Sequence, residues 1–328
     1  MLHFKQPART SRGVYTERRI WLVKVSDVGV GECAPLPDLS CDALPPHIYN
    51  NVLRRFCDEV EQMGVIPYED MRPYPSMLFG LETALLSFNT PFSRGEDGIP
   101  INGLIWMGSY EEMVERIEEK IRQGFRCIKL KIGAIDFDRE LELLQRIRQR
   151  FGPREIELRV DANGAFVFDN GDALYKLELL SQYALHSIEQ PIKAGQWANM
   201  AELCRDAPLP IALDEELIGV NDPEQKRQLL NIIRPAYIVL KPSLHGGMAG
   251  CREWLSIAGN MGIGSWITSA LESNVGLNAI AQFCSSVYGN TITVPQGLGT
   301  GQLFTDNIPM PLEIRGDKIW RVPRNPNA

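Results

Sequence analysis

The sequence predicts an α/β fold, namely a (β/α)8 barrel of the TIM type with an N-terminal α+β capping domain. Two observations support this prediction. Between residues 96 and 304, short apolar runs alternate eight times with amphipathic helical patterns, as such a barrel requires. Residues 1–95 lack this alternation and mix strand patterns with helix patterns. A doubly wound open sheet is the alternative, but no G-x-G-x-x-G turn follows the first strand of the series.

The composition of the 328 residues is that of a globular protein, with 44% hydrophobic and 23% charged residues. A chain of this length fits two domains, or one barrel with an additional domain. The net charge of −7 arises from interspersed acids and bases, so we expect neither nucleic acid nor a membrane as a partner. A small molecule is the expected partner, and nothing in the sequence indicates the oligomeric state.

The cysteines and histidines favour a cytoplasmic protein. Seven cysteines are scattered without a C-x-x-C pair, and the four histidines are not closely paired. This pattern argues against a disulfide framework and against a structural zinc site. The N-terminus has no apolar segment of the kind found in secretion signals. If a metal is bound, we therefore expect its ligands to be carboxylates.

The capping domain is predicted to span residues 1–95 and to be completed by residues 305–328, with a strand at Ile319-Trp320. Segment 89–100 contains two prolines and two glycines and is the predicted boundary to the barrel, which spans 96–304. The capping patterns indicate a hairpin of strands 13–16 and 20–25, a strand over 29–34, and helices over 46–63 and 75–90.

Each predicted barrel strand is a short apolar run that precedes a helical pattern. The strands are expected at 101–105, 127–133, 156–161, 185–189, 210–214, 237–241, 265–269 and 291–294. The helices between them are expected at 109–123, 136–150, 170–182, 196–206, 222–231, 247–261 and 275–287.

The strand Cys127–Gly133 is unusual because it carries two lysines. Strands of parallel sheets are normally almost entirely apolar, yet Lys129 and Lys131 lie on one face of this strand. Two buried ammonium groups repel each other and need compensating charge nearby. An edge strand with a solvated basic face is the alternative interpretation.

Charged residues end five successive predicted strands. These residues are Lys131, Asp161, Glu189, Asp214 and Lys241, and their separations of 30, 28, 25 and 27 residues each correspond to one βα unit. All five are therefore expected at the C-terminal mouth of the barrel, where barrel enzymes place their active sites. A helix N-cap or a loop ion pair is the structural alternative for any one of them.

These charges suggest a metal-assisted proton abstraction. Three carboxylates form an all-oxygen site that suits Mg²⁺, with Mn²⁺ as the alternative ion. A lysine can act as a base when burial and cationic neighbours lower its pKa, and Lys129 would be such a neighbour for Lys131. A metal with a lysine base stabilises the charge that develops when a proton is removed next to a carboxylate.

Five motifs resemble those of the muconate-lactonising branch of the enolase superfamily. Lys129-Leu130-Lys131 resembles the K-x-K motif, and Lys241-Pro242 resembles the second lysine motif of that branch. Three further motifs resemble the metal-ligand motifs of that branch, namely Asp161-Ala162-Asn163, Glu189-Gln190-Pro191 and Asp214-Glu215. The resemblance implies an enolase-like fold, with Lys131 as the base, Lys241 opposite to it, and Asp161, Glu189 and Asp214 as ligands of Mg²⁺.

Within this branch, three further segments resemble the o-succinylbenzoate synthases. They are the loop Gly31–Pro37, the stretch Ser269–Asn274, in which Asn274 replaces a serine, and Gly297–Gly301. The resemblance implies a Mg²⁺-dependent dehydratase that forms 2-succinylbenzoate from 2-succinyl-6-hydroxy-2,4-cyclohexadiene-1-carboxylate, a step towards menaquinone. It also implies that Ser269, Glu272 and Ser273 contact the substrate.

Arg159 is a further candidate for substrate binding. It shares a strand face with Asp161, two residues away, and could reach a substrate carboxylate. The alternative is that Arg159 is a counter-ion for the acidic residues.

Three other functions remain open at this point. A racemase or epimerase acting on N-acylamino acids or dipeptides would use Lys131 and Lys241 as bases on opposite faces, although Gly297–Gly301 at the eighth strand lacks the D-x-D motif expected of dipeptide epimerases. A scaffold barrel would use the same charges only as a salt-bridge network. A Schiff-base aldolase would use Lys241 as its nucleophile. The role of His245, just beyond Lys241, is also open.

Overall fold

A computed structural model of the chain describes residues 1–10, 13–289 and 292–322. The N-terminal part contains four strands followed by three helices. The elements are β1 (Leu2–Thr10), β2 (Gly13–Arg18), β3 (Trp21–Val25), β4 (Gly29–Cys33), α1 (Pro46–Met63), α2 (Tyr68–Met71) and α3 (Pro75–Leu85). Apolar residues of β3, β4, α1 and α3 share one core, which includes Val23, Cys33, Phe56 and Leu81.

The predicted hairpin of strands 13–16 and 20–25 is wrong in its pairing. Strand β2 pairs with β1, a strand that is not among the predicted ones, and β3 pairs with β4. Arg19 and Ile20, which separate β2 from β3, provide neither Gly nor Asn for a two-residue hairpin turn. The chain therefore passes from one two-stranded sheet into another.

Seven parallel strands form most of the barrel, in the order in which they occur in the chain. After the short strand β5 (Ile99–Pro100), they are β6 (Gly103–Ile105), β7 (Cys127–Lys131), β8 (Glu157–Asp161), β9 (Ser187–Glu189), β10 (Ile211–Leu213), β11 (Tyr237–Leu240) and β12 (Gly264–Ile267). Apolar side chains of these strands, such as Ile128 and Leu130, are fully buried in one large core shared with the helices.

The eighth strand was predicted at 291–294 but is not present over the described residues 292–294. Residue 291 lies outside the described residues. Gln296 and Gly297 close the barrel instead, through isolated bridges to Ile101 and Thr268. A Cβ atom on Gly297 would lie 2.1 Å from Oγ1 of Thr268, so glycine allows the close approach that sets this register.

The barrel helices follow the predicted pattern to within two residues at each end. They are α4 (Tyr110–Arg122), α5 (Phe137–Arg148), α6 (Asp172–Ser181), α7 (Trp197–Asp206), α8 (Pro223–Ile233), α9 (Gly247–Asn260) and α10 (Asn274–Tyr288). Side chains stabilise several of the helix starts. Ser109 and Glu112 form a capping box on α4, and Asp222 accepts two backbone N–H groups at the start of α8.

The C-terminal segment contacts two strands from the first hundred residues, β1 and β5. Phe304 bridges Phe4 of β1, and the N–H of Lys5 donates to the carbonyl of Leu303. Strands β13 (Leu312–Arg315) and β14 (Lys318–Arg321) then form a hairpin that pairs with β5. The strand expected at Ile319-Trp320 is therefore present, whereas the limits of the two domains stay a prediction.

Among the described residues, no helix combines the length and the apolar character that crossing a lipid bilayer requires.

Candidate active site

The ends of neighbouring strands bring the five predicted charged residues together. Lys131, Asp161 and Glu189 are the last residues of β7, β8 and β9, and they pair directly across these strands. Asp214 and Lys241 directly follow β10 and β11. Because parallel strands end at the same side of the sheet, the five side chains meet at one mouth of the barrel.

The three carboxylates are paired with the three lysines. Nζ of Lys129 lies 2.8 Å from Oδ2 of Asp161 and 2.6 Å from Oε2 of Glu189. Nζ of Lys131 lies 2.6 Å from the same Oδ2 of Asp161, and Lys241 pairs with Oδ2 of Asp214. These contacts supply the compensating charge that the two lysines of β7 need, so the edge-strand interpretation is wrong.

Burial and charge shift the pKa values of these groups in opposite directions. Burial favours the neutral forms of Lys129 and Lys241, but the adjacent carboxylates outweigh it and raise the pKa of both lysines. Asp161 is also buried, yet Lys129 and Lys131 hold its pKa below the ordinary value. Glu189 keeps a raised pKa of about 8, because burial and the charge of Asp161 together exceed the attraction of Lys129.

The donor set fits a divalent cation in its chemistry. Buried Oε1 of Glu189, Oδ1 of Asp214 and Oε2 of Glu215 have no hydrogen-bond partner within the part of the chain that the structure describes. Carboxylate oxygens without donors are the ligands that hard divalent ions prefer. Within the same part of the chain, no three His, Cys, Asp or Glu side chains converge as a ligand group. The second oxygens of Asp161, Glu189 and Asp214 are instead turned towards lysines.

A cavity opens above these charges. Its polar floor includes Lys129, Lys131, Glu189, Glu215 and Lys241. Its roof and part of its walls are apolar and are formed by Leu36, Leu39, Leu104, Trp106, Leu244, Trp266, Ala270 and Leu271. The rest of the wall is polar and includes Asn102, Asn163, Thr268, Ser269 and Thr300. The cavity therefore suits a molecule with a negatively charged end and an apolar body.

Asn163 and Glu215 also belong to the site, although their motifs alone predict no role for either residue. Oδ1 of Asn163 accepts a hydrogen bond of 2.8 Å from Nζ of Lys131, and its Nδ2 donates to Oε1 of Glu215 at 3.0 Å. Burial, followed by the charge of Asp214, raises the pKa of Glu215 to about 7. Their positions next to the predicted ligands Asp161 and Asp214 were the available signal.

Arg159 lies below the cavity and is not among the described residues that line it. Its guanidinium group contacts Oε1 of Glu157 at 2.7 Å, donates to the carbonyl of Pro295, and lies 4.5 Å from the centre of the Trp266 ring. These contacts favour a structural counter-ion over a residue that binds substrate.

The three residues expected from the Ser269–Asn274 stretch have different surroundings. Ser269 lines the cavity and shares a hydrogen bond with Thr300. Glu272 is buried and accepts from Ser243 and from the N–H of Ala270. Ser273 is also buried and donates to Glu32 of β4. Only Ser269 of these three is placed to contact a molecule in the described cavity.

His245 supports the backbone that carries Lys241. Its ring is fully buried, and burial lowers its pKa to about 3, so the ring is neutral. Nδ1 of His245 accepts a hydrogen bond of 2.9 Å from the backbone N–H of Lys241. His245 therefore fixes the start of the loop between β11 and α9.

Comparison with known proteins gives four informative similarities. A family model described as "Enolase C-terminal domain-like" matches residues 112–326. An o-succinylbenzoate synthase from Desulfotalea psychrophila is 45% identical and is aligned over 96% of this chain and 95% of its own length. The crystal structure of MenC from Desulfotalea psychrophila has a TM-score of 0.79 at 41% identity and covers 97% of both chains. An N-succinylamino acid racemase from Thermus thermophilus is 32% identical, over 51% of this chain and 42% of its own length.

Proposed function

The chain belongs to the o-succinylbenzoate synthases of the enolase superfamily, and from that premise we propose which of its residues carry out the reaction. The protein is a hydro-lyase of menaquinone biosynthesis. Its reaction forms 2-succinylbenzoate from 2-succinyl-6-hydroxy-2,4-cyclohexadiene-1-carboxylate by loss of one molecule of water, made up of the proton next to the carboxylate and the hydroxyl group of the adjacent carbon. The residues that perform these steps are the five charged groups at the barrel mouth.

The observation that carries this assignment is that Lys131 and Lys241 line one cavity together with Glu189 and Glu215. A substrate carboxylate in this cavity lies among ammonium groups under a mainly apolar roof. Water is restricted there, so each charge interaction is stronger than in bulk solvent.

Lys131 is the proposed base. Its neutral amine removes the proton from the carbon that bears the carboxylate, and the ammonium group so formed returns that proton to the hydroxyl group of the adjacent carbon, which leaves as water. Asn163 accepts a hydrogen bond from Nζ of Lys131 and so fixes the position of this nitrogen at the cavity. Lys241, held by His245 through its backbone, stabilises the negative charge that develops on the carboxylate oxygens.

Members of this family typically depend on a divalent metal. We assign Asp161, Glu189 and Asp214 as its ligands and Mg²⁺ as the ion, with Mn²⁺ as the alternative. When bound, the ion would neutralise charge on the substrate carboxylate. Lys129, which contacts both Asp161 and Glu189, balances the charge of the ligand set. The substrate is a small carboxylate, and the cytoplasm, where the seven free cysteines would stay reduced, is the proposed location.

An ultraviolet assay of purified protein with the synthase substrate tests this function. We expect aromatic product to accumulate in the presence of Mg²⁺. Absence of product at micromolar enzyme, with the protein folded and the metal supplied, would contradict the proposed site.

Racemisation of N-acylamino acids is a second candidate, since Lys131 and Lys241 both line the cavity. A two-base racemase needs one base on each face of the substrate carbon. Incubation of an N-succinylamino acid panel in D₂O distinguishes the two functions. Deuterium uptake into the amino acid at a rate comparable to synthase turnover would establish racemisation as an additional activity.

A further inference from the structure

The roof of the cavity comes from the loop that follows β4. Leu36 and Leu39 of this loop pack with Leu244, Ala270 and Leu271, which belong to the loops after β11 and β12. The loop also forms its own turn, because the N–H groups of Leu39 and Ser40 donate to the carbonyl of Leu36. Fixing the start of this loop therefore fixes both leucines over the cavity.

Glu32 joins β4 to the N-terminus of α10. Oε1 accepts a hydrogen bond of 2.9 Å from the N–H of Ser273, while Oε2 accepts from the hydroxyl of Ser273 and, at 2.8 Å, from the N–H of Gly276. The side chain is fully buried. Its three donors belong to the start of α10, where the helix dipole favours a negative charge.

Arg18 makes a second connection between these regions, because it joins the loop after β4 to the loop after β12. Its guanidinium group donates to the carbonyls of Ala34 and Pro35 on the roof loop and, at 3.1 Å, to the carbonyl of Ala270 on the loop after β12. Only 2% of its surface is exposed. One planar side chain thus holds the two loops at a fixed separation.

The strand that carries Glu32 has little freedom to move. A Cβ atom on Gly31 would lie 1.8 Å from the carbonyl oxygen of Gly80, and one on Gly80 would lie 2.1 Å from Sγ of Cys33. Strand β4 and helix α3 therefore pack backbone against backbone. A carboxylate on such a strand is held rigidly in place.

We propose that Glu32 and Arg18 are positioning residues that hold the Leu36–Leu39 roof over the substrate and thereby set the KM of the synthase reaction. Neither residue lines the described cavity, so each acts through the loop. The proposal rests on the proposed function for the identity of the substrate. Its structural part, the docking of the loop, can be tested without turnover.

The test compares the wild type with Glu32→Gln and Arg18→Lys. The Gln amide keeps one acceptor oxygen but places an N–H group against donors of α10. Lysine cannot donate to three carbonyls in the planar arrangement of arginine. We expect KM to rise at least about tenfold in both variants, and kcat to stay within about threefold, since the lysines and their carboxylates are untouched.

Glu82→Gln is the matched control. Glu82 is also a buried carboxylate on an N-terminal element, and it accepts from the N–H groups of Met248 and Ala249 at the start of α9. It makes none of the described contacts to the roof loop. We expect this variant to keep KM within about twofold of the wild type, even where its thermal stability falls as much as that of Glu32→Gln.

Hydrogen exchange by mass spectrometry provides the readout without turnover. Peptides covering residues 33–41 are expected to exchange at least about tenfold faster in Glu32→Gln and Arg18→Lys, and at the wild-type rate in Glu82→Gln. Unchanged exchange and KM in the first two variants would overturn the proposal, as would an equal rise of KM in all three. An inactive wild type with the expected exchange pattern would overturn the proposed function instead. If Glu32→Gln does not fold, Arg18→Lys decides by the same criteria.

Discussion

Lys131 and Asp161 are direct partners across β7 and β8, and Nζ of Lys131 lies 2.6 Å from Oδ2 of Asp161. The proposed base and a proposed metal ligand therefore form an ion pair with each other. Asp161 also contacts Lys129 through the same oxygen, at 2.8 Å. Because Asp161 has two lysine partners, Lys131 can be removed without leaving this buried carboxylate unpaired.

Lys131→Ala should abolish turnover while the protein still folds and binds Mg²⁺. Loss of a general base typically lowers the rate by about 10²–10⁴-fold. Asp161 keeps Lys129 as a counter-ion in the variant, so no carboxylate becomes unpaired. The ultraviolet assay measures kcat, circular dichroism reports folding, and calorimetric titration reports metal binding. The matched control is Lys24→Ala on the exposed face of β3, which should leave kcat unchanged. Turnover in Lys131→Ala close to the wild-type level would remove Lys131 from the mechanism.

Removal of divalent metal should stop the reaction without unfolding the protein. The carboxylates of Asp161, Glu189 and Asp214 are each paired with a lysine, so their charges stay compensated. We expect EDTA to lower activity at least about 100-fold and added Mg²⁺ to restore it. Added Mg²⁺ should also raise the Tm, because a ligand that binds the native state stabilises it. Full activity after exhaustive chelation would support a salt-bridge network in place of a metal site.

Glu82 should make stability fall as the pH rises from about 4.5 to about 7. Burial raises its pKa from 4.5 to about 7. Between these values the native state holds a proton that the unfolded chain releases, so the free energy of unfolding decreases with pH, by at most about 3 kcal/mol. Tyr68 and Arg252 are its charged or titratable neighbours. In urea unfolding near pH 4.5 and near pH 8, the free energy of unfolding of Glu82→Gln should fall less than that of the wild type, because Glu189 and Glu215 still titrate in the variant but Glu82 does not. Parallel pH curves for the two proteins would show that Glu82 does not titrate in this range.

Gly31→Ala should destabilise the protein severely. The added Cβ would lie 1.8 Å from a backbone oxygen of α3, and neither backbone can move without breaking the β4 contacts. Such overpacking costs about 3 kcal/mol or more. Gly259→Ala is the control, because Gly259 is exposed in α9 and no atom lies within 4 Å of an added Cβ. Alanine there should stabilise the helix by about 0.5–1 kcal/mol. Denaturant unfolding measures both changes, and equal stability of the two variants would contradict the close packing.

The sequence alone is sufficient to predict which charged residues meet at the mouth of the barrel, because the βα units have similar lengths. Lys131, Asp161, Glu189, Asp214 and Lys241 could be placed together from that spacing and from the apolar character of their strands. These features are local. No contact between distant segments has to be known to derive them.

Arg159 shows where this reasoning fails. Strand alternation gives the face of a side chain but not its depth along the barrel, and two residues correspond to about 6–7 Å. The side chain of Arg159 extends away from the mouth towards Glu157 and Pro295, although it shares a face with Asp161 and pairs with Lys129, which lines the cavity. The eighth strand failed for a related reason, because its register depends on the fit of Gly297 against Thr268.

Ser273 shows a second kind of limit. Its partner Glu32 is 241 positions away in the chain, and the two meet only when the N-terminal strands dock on the barrel. The motif around Ser273 cannot reveal that its hydroxyl group already donates a hydrogen bond to a residue from a distant segment. The same holds for Glu82 and the start of α9, which are 166 positions apart.

The floor and the roof of the cavity come from different stretches of the chain. Every ionic group proposed for the acid–base chemistry and the metal lies after residue 128, whereas Leu36 and Leu39 lie near the beginning of the chain. Mutations in the early codons can therefore reshape the space around the substrate without disturbing the acid–base chemistry. The barrel residues can therefore keep the reaction unchanged during evolution while substitutions in the N-terminal loop change which substrates fit.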